Sequence, residues 1–140
     1  MILADTGFWI ALGSRHDRHH DAAEAAMQRW MGEGFVSTWP VIAETCHLLR
    51  MRLGTEAMLQ FMQHLSDGVC EIAPTSEADI PRLRALMHKY RDLPMDLADA
   101  SLVVLAEELG EGRILSTDER DFRTYRWKNT KPFKNLLTNV

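Results

Sequence analysis

The chain has 140 residues, a net charge of −4, 46% hydrophobic residues and 26% charged ones. That length suits one domain with a buried core and is too short for two, and the composition is that of a soluble globular protein. No run approaches the roughly 18 apolar residues of a membrane span, and the acidic balance argues against a protein that coats nucleic acid with its whole surface. Only Cys46 and Cys70 are present, and both are expected to be reduced thiols. The first strand begins at Met1, which leaves no room for a signal peptide, so the cytoplasm is the expected compartment.

Met1–Ala4 (MILA) is a short apolar run that ends at Asp5, a first strand. Thr6-Gly7 supplies a turn, and Phe8–Leu12 begins a helix packed on the sheet. Ser14–Asp21 (SRHDRHHD) is a polar loop with Asp17 as a cap for the Ala-rich helix Ala22–Met31, which Gly32 and Gly34 break. Phe35–Ser37 is a second strand. Ser37-Thr38-Trp39-Pro40 starts a helix through a hydroxyl cap and a first-turn Pro. That helix, Val41–Arg52, carries Ile42, Cys46, Leu49 and Leu53 on one stripe, with Glu44 one turn in. Thr55 is placed to cap a further helix through Leu65 that turns Met58, Phe61, Met62 and Leu65 inward. Val69–Ile72 is an edge strand. Helix Pro81–Tyr90 follows, capped by Asp79 or, with a local kink at Pro81, by Ser76.

Pro94 disfavours helix before it, and Asp96 is a good N-cap for a helix whose body (Ala98, Leu102, Val103, Leu105, Ala106, Leu109) is apolar around most of its circumference. Gly110 suits the residue after the helix, and Arg113–Ser116 reads as a short buried strand. Strands alternating with helices predict parallel β-α units, and hence a three-layer α/β/α sandwich around a small, mostly parallel sheet spanning 1–140 as one unit.

Four acids then stand at comparable places: Asp5 and Asp118 at strand ends, Glu44 one turn into a helix, and Asp99 in the first turn of another. All can face the carboxyl rim of the sheet, where ligands bind in open α/β folds. Two carboxylates about 4 Å apart repel by about 4 kcal/mol at an effective dielectric near 20. A group of four therefore needs protons or a cation. Oxygen ligands without His or Cys select Mg²⁺ or Mn²⁺, one ion or two, and such a site supports phosphodiester hydrolysis. Asp96 and Asp121 stand beside the four as outer ligands, water-orienting groups or plain helix caps. Thr6 and Thr117 either orient carboxylates or only shape turns.

The segment 120–134 holds Arg120, Arg123, Arg126, Lys128, Lys131 and Lys134 against Asp121, interleaved with Phe122, Tyr125, Trp127 and Phe133. Such a mixture suits a phosphate backbone with bases stacked nearby, and equally a buried aromatic set with solvated charges. Arg15 and Arg18 on the polar loop join Arg120, Arg123, Arg126 and Lys128 as candidate RNA contacts. His16, His19 and His20 lack a second ligand cluster, which argues against zinc. No phosphate-binding glycine motif is present. Gly7 stands where an aspartyl-phosphate phosphatase would need a second Asp.

Ile2–Asp5 with Thr6-Gly7, Ala43-Glu44, Asp96–Ala100 with Ala106, Ser116-Thr117-Asp118 and Asp121-Phe122 together resemble the PIN domain, and within it the VapC-type toxin ribonucleases. The resemblance implies a metal-dependent endoribonuclease, commonly a homodimer, silenced by a small antitoxin. It also implies that Asp5, Glu44, Asp99 and Asp118 are the catalytic, metal-binding acids. The competing expectation is a catalytically idle PIN-like module that binds RNA or protein.

Overall fold

A computed structural model describes residues 1–137; Thr138–Val140, the end of the expected unit, lie outside the described residues. The elements are β1 (Ile2–Ala4), α1 (Thr6–Gly13), α2 (His20–Trp30), β2 (Phe35–Thr38), α3 (Trp39–Leu53), α4 (Thr55–Ser66) and β3 (Glu71–Ala73). A 3₁₀ turn (Glu77–Asp79) leads into α5 (Ile80–Lys89), α6 (Leu97–Leu109), β4 (Arg113–Leu115), α7 (Glu119–Thr124), β5 (Arg126–Trp127), β6 (Lys131–Pro132) and β7 (Lys134–Asn135). The main sheet has the order β3-β2-β1-β4-β7 with every pair parallel, while β5 and β6 form a separate antiparallel pair.

Successive strand residues face opposite sides of a sheet, and that alternation sets the layers. Leu3, Val36 and Ile114 join the core under α5, α6 and the aromatic segment 122–127. Ile2, Ala4, Phe35 and Leu115 join the core under α1, α2, α3 and Phe61 of α4. The result is the three-layer sandwich that strand–helix alternation predicts. Because the inner strands are parallel, their carboxyl ends share one rim, and α1, α3 and α7 start from it.

Several local expectations are corrected. Asp17 does not cap α2: its carboxylate accepts the His19 N–H (2.8 Å) inside the preceding turn, and the cap position, His19, makes no side-chain cap bond. Thr55 is already helical, because Gly54, at φ +104°, takes the cap position that a residue with a β-carbon adopts only under strain. Of the two caps expected before α5, Ser76 makes the bond to the turn's N–H, in a reciprocal pair in which Asp79 accepts the Ser76 N–H. The third strand is shifted to Glu71–Ala73, and it does lie at the edge. Met62 (41% exposed), Leu53 (45%) and Leu109 (49%) face outward rather than inward, because each lies on the outer side or at the end of its helix.

Two polar devices fix the helices that carry site residues. Thr38 caps α3 by accepting the Val41 N–H (3.4 Å), and its buried hydroxyl meets Ser101 of α6 at 2.6 Å. Arg82 of α5 makes a two-pronged bond to Glu107 of α6 (3.0 and 2.8 Å), and Glu107 also accepts the Lys128 N–H, tying the β5–β6 pair to the helical layer. Replacing Thr38 by Val keeps the shape but removes the cap and the buried bond. The expected loss is about 1–2 kcal/mol of unfolding free energy, read from the urea midpoint.

Candidate metal and nuclease site

Three of the acids at the rim are N-caps, the position at which a short carboxylate satisfies free amides of a helix's first turn. Asp5 ends β1 and caps α1, its Oδ1 accepting the Thr6 N–H at 2.8 Å. Asp96 caps α6 by accepting the Asp99 N–H (2.9 Å), and Asp118 caps α7 by accepting the Asp121 N–H (3.4 Å). Asp99 and Asp121 follow in the first turns of α6 and α7. Glu44 lies in the second turn of α3, where Thr6 Oγ1 stands 3.3 Å from its Oε2 and 3.4 Å from the Val41 carbonyl. Asp5, Thr6, Glu44, Asp96, Asp99, Thr117 and Asp118 line one cleft of about 230 Å³.

Within the rim the closest grouping is Asp99, Asp118 and Asp121, whose nearest carboxylate oxygens all lie within 4.8 Å of one another. Asp121 thus stands beside Asp99 and Asp118, though it is not among the residues lining the cleft. Asp5 is set deeper. Its Oδ2 accepts the Ser116 hydroxyl (2.8 Å), so both of its oxygens are engaged by the protein.

Crowding and burial act on the protons. Burial pushes Asp5 up to about 6, with Glu44 and Asp118 adding to it and the Ser116 and Thr6 bonds opposing it. Asp99 is pushed up to about 8, by burial first and then by Asp5 and Asp96, against the Tyr125 bond. Asp118 rises to about 6 through burial and the neighbouring Asp121 carboxyl. Glu44 rises through burial and Asp96.

A divalent cation fits the donors present. They are hard carboxylate oxygens with no sulfur or imidazole among them. One of them, Asp121 Oδ1, is buried with no hydrogen-bond partner, and the Arg120 guanidinium beside it is 3.7 Å away on an exposed side chain. A buried carboxylate oxygen without a donor is costly unless a cation meets it. His20 is committed elsewhere, to the Ala11 carbonyl (2.7 Å) and Glu24 (3.2 Å), and among the described residues no histidine joins a metal-capable group.

Three further residues hold the site through pairings that the sequence pattern does not single out. Ser116 is fully buried, donates to Asp5 and accepts the Asp118 N–H at 3.0 Å, so one hydroxyl links two acids. Asn135 of β7 holds the Ser116 backbone from the other side, with bonds of 2.8 and 3.2 Å. Tyr125 donates its phenol to Asp99 Oδ2 at 3.0 Å. Polar residues at strand ends and one aromatic in a run of aromatics carry no sequence signal for such pairings, which join positions as far apart as 5 and 116. Asp17 and Arg52 also reach the cleft.

The candidate RNA contacts divide. Arg15 and Arg18 are exposed on the loop whose Asp17 lines the cleft, and Arg120 and Arg123 are exposed on α7, with Arg123 paired to Glu119 at 2.8 Å. Arg126 spends its guanidinium on the carbonyls of Arg123, Thr124 and Tyr125 at the end of α7, where a cation also meets the helix dipole. The Lys128 ammonium lies 5.8 Å from the centre of the Trp127 ring. Phe122, Tyr125 and Trp127 are buried, so these aromatics are core and are not platforms for bases.

Raised carboxyl values give a signed pH dependence. Above about pH 4 the folded chain without metal keeps protons that the unfolded chain, with carboxyls near 3.9, has released, on Asp5 and Asp118 up to about pH 6 and on Asp99 up to about pH 8. The contribution of these groups is therefore present at low pH and is lost as pH rises through their folded values. In EDTA the melting temperature is expected to fall by several degrees between pH 5 and pH 8.5, and saturating Mn²⁺ to flatten the decline. Packing at the rim allows a second test. A β-carbon on Gly7 would stand 1.8 Å from Thr117 Oγ1 and 2.9 Å from Thr117 Cβ. Gly7→Ala is expected to cost about 2 kcal/mol in urea denaturation, and adding Thr117→Ala to return part of it.

The model of the PIN domain matches residues 2–128 of the chain. Ribonuclease VapC26 of Mycobacterium tuberculosis is 30% identical over 125 residues, which cover 89% of this chain and 92% of that protein. Among solved structures, the chain resembles VapC20 of Mycobacterium tuberculosis, described as a toxin that cleaves the sarcin–ricin loop. The TM-score is 0.75 and the identity 20%, covering 84% of this chain and 90% of that one. PAE2754 of Pyrobaculum aerophilum is similar with a TM-score of 0.57 and 19% identity, covering 99% of this chain and 90% of the other. The two structural likenesses speak to the fold; the match of nearly the whole chain to the family's pattern speaks to descent. The chain belongs to the PIN-domain family, with relatives of VapC type.

Proposed function

We propose that this protein is a Mg²⁺- or Mn²⁺-dependent endoribonuclease and the toxin of a toxin–antitoxin pair, acting in the cytoplasm as a single domain over 1–140. The observation that carries the reading is the convergence of Asp99, Asp118 and Asp121 within 4.8 Å on a rim shared with Asp5 and Glu44. Kinship with a protein named as a ribonuclease supports the substrate class. Asp99, Asp118 and Asp121 would hold one ion, and Asp5 with Glu44 would complete its surroundings or hold a second. A bound ion would supply an activated water and neutralise charge developing on the phosphodiester. The residues supply the rest. Helix N-termini and Ser116 fix the carboxylates, Thr6 orients Glu44, and Arg52, Arg15, Arg18, Arg120 and Arg123 draw the RNA backbone to a cleft that its acids alone would repel.

The antitoxin is proposed to cover the apolar groove of about 340 Å³ lined by residues of α1, α2, α3 and α4, Trp9, Met27, Leu49 and Phe61 among them. A homodimer is proposed on kinship alone. An RNA cleavage assay in Mn²⁺ and in EDTA tests the catalytic reading. Asp99→Asn and Asp118→Asn are expected to lose activity by orders of magnitude while melting no lower than the wild type in EDTA, because each removes like-charge repulsion along with a ligand. Asp96→Asn keeps an adequate cap and is expected to stay active. An idle module would leave all three variants indistinguishable from the wild type. For the partner, Met27→Ser in the groove is expected to lose the complex with the product of a neighbouring reading frame while the toxin stays folded, as co-purification would show.

A further inference from the structure

Tyr125 reaches Asp99 from behind the cleft. Its hydroxyl lies 3.0 Å from Asp99 Oδ2, and the side chain is fully buried. The ring cannot turn away, since Tyr90 packs edge-on at 5.0 Å, Phe122 at 5.1 Å, and Phe133 backs Phe122 at 5.3 Å. Tyr125 also terminates α7, its N–H bonded to the Asp121 carbonyl at 2.9 Å. Residues 118, 121 and 125 follow the i, i+3, i+7 spacing of one helical face. One short segment therefore contributes two carboxylates of the rim and the donor that fixes the third.

A carboxylate on a single bond is free to rotate, and a donor on one oxygen removes that freedom and aims the other oxygen. We infer that Tyr125 is a positioning residue: its phenol holds Asp99 in the orientation in which Asp99 joins Asp118 and Asp121 around a divalent cation, and so sets the affinity for the ion. This rests on the reading of the rim as a metal site. The plainer role is that Asp99 merely satisfies a buried hydroxyl. The two roles part on metal affinity. Partners that orient metal ligands are worth about 10–100-fold in affinity, whereas a hydroxyl that only needs a partner leaves affinity alone. Tyr90 is an internal control, because its hydroxyl in the same aromatic cluster serves the Arg126 N–H (3.1 Å) and touches no acid of the rim.

The test is calorimetric titration of the whole chain with Mn²⁺, without RNA. Tyr125→Phe is expected to weaken Mn²⁺ binding by about 10–100-fold, with RNA cleavage recovering as Mn²⁺ is raised. Tyr90→Phe is expected to bind as the wild type does. 4-Aminophenylalanine at position 125 keeps a donor and is expected to restore affinity, and it also decides the matter if Tyr125→Phe does not fold. Wild-type affinity in Tyr125→Phe, equal weakening in Tyr90→Phe, or no restoration by the amine would overturn the inference while leaving the metal site standing. A wild-type protein that takes up no Mn²⁺ at millimolar concentration would overturn the metal site and the inference together.

Discussion

Helix N-termini and carboxylates meet at a single rim, and the rest of the structure follows from that meeting. Parallel strands β1, β2 and β4 end side by side, and α1, α3 and α7 begin where they end, while α6 brings its own first turn to the same edge. Each helix start offers unpaired N–H groups and the positive end of a dipole, worth about 0.3–1 kcal/mol to a nearby carboxylate. Asp5, Asp96 and Asp118 take those positions as caps. Like-charge repulsion of about 4 kcal/mol per close pair outweighs what the dipoles return. Burial first, and the neighbouring carboxyls after it, hold Asp5, Asp99 and Asp118 above the ordinary carboxylate range. A protein that keeps such a group together without metal does so by retaining protons, and a divalent cation is the natural replacement for them.

The polar residues that tie the rim down come from every layer. Ser116 joins Asp5 to the Asp118 backbone from beneath, Asn135 holds Ser116 from the neighbouring strand, and Thr117 presses so closely on Gly7 that no side chain fits there. Thr38 and Ser101 couple the helices that carry Glu44 and Asp99. The acids are consequently held by bonds spanning most of the chain length, so the rim forms only when the whole fold does. Function and folding share their contacts.

Much of this was legible in the sequence because it is local. A hydroxyl before Trp39-Pro40, an acid after Pro94, and a Gly after Leu109 each announce a helix boundary through the chemistry of one or two residues, and all three boundaries stand. Strand-end acids Asp5 and Asp118 and the parallel three-layer plan follow from apolar runs and spacing. The misreading at Thr55 falls where a local signal had a competitor: Gly54 displaced Thr55 as a cap because only glycine accepts that backbone conformation easily. Of the two caps open before α5, Ser76 makes the bonds, in a reciprocal pair with Asp79. What the sequence could not carry is long-range pairing. Nothing near Tyr125 marks it as the partner of Asp99, nothing near Arg126 says that its charge is spent on the end of α7, and Asp121 enters the acid group because Asp118 caps α7 and sets Asp121 in its first turn.

The central claim is that the rim acids are assembled to hold a divalent cation, and crystals grown with Mn²⁺ test it most directly through the anomalous scattering of the ion. The expected result is a strong anomalous peak in coordination contact with the carboxylates of Asp99, Asp118 and Asp121, with the wild-type fold unchanged around it. An anomalous map that is empty at the rim at millimolar Mn²⁺, or whose peak lies only on His16, His19 or His20, would contradict it.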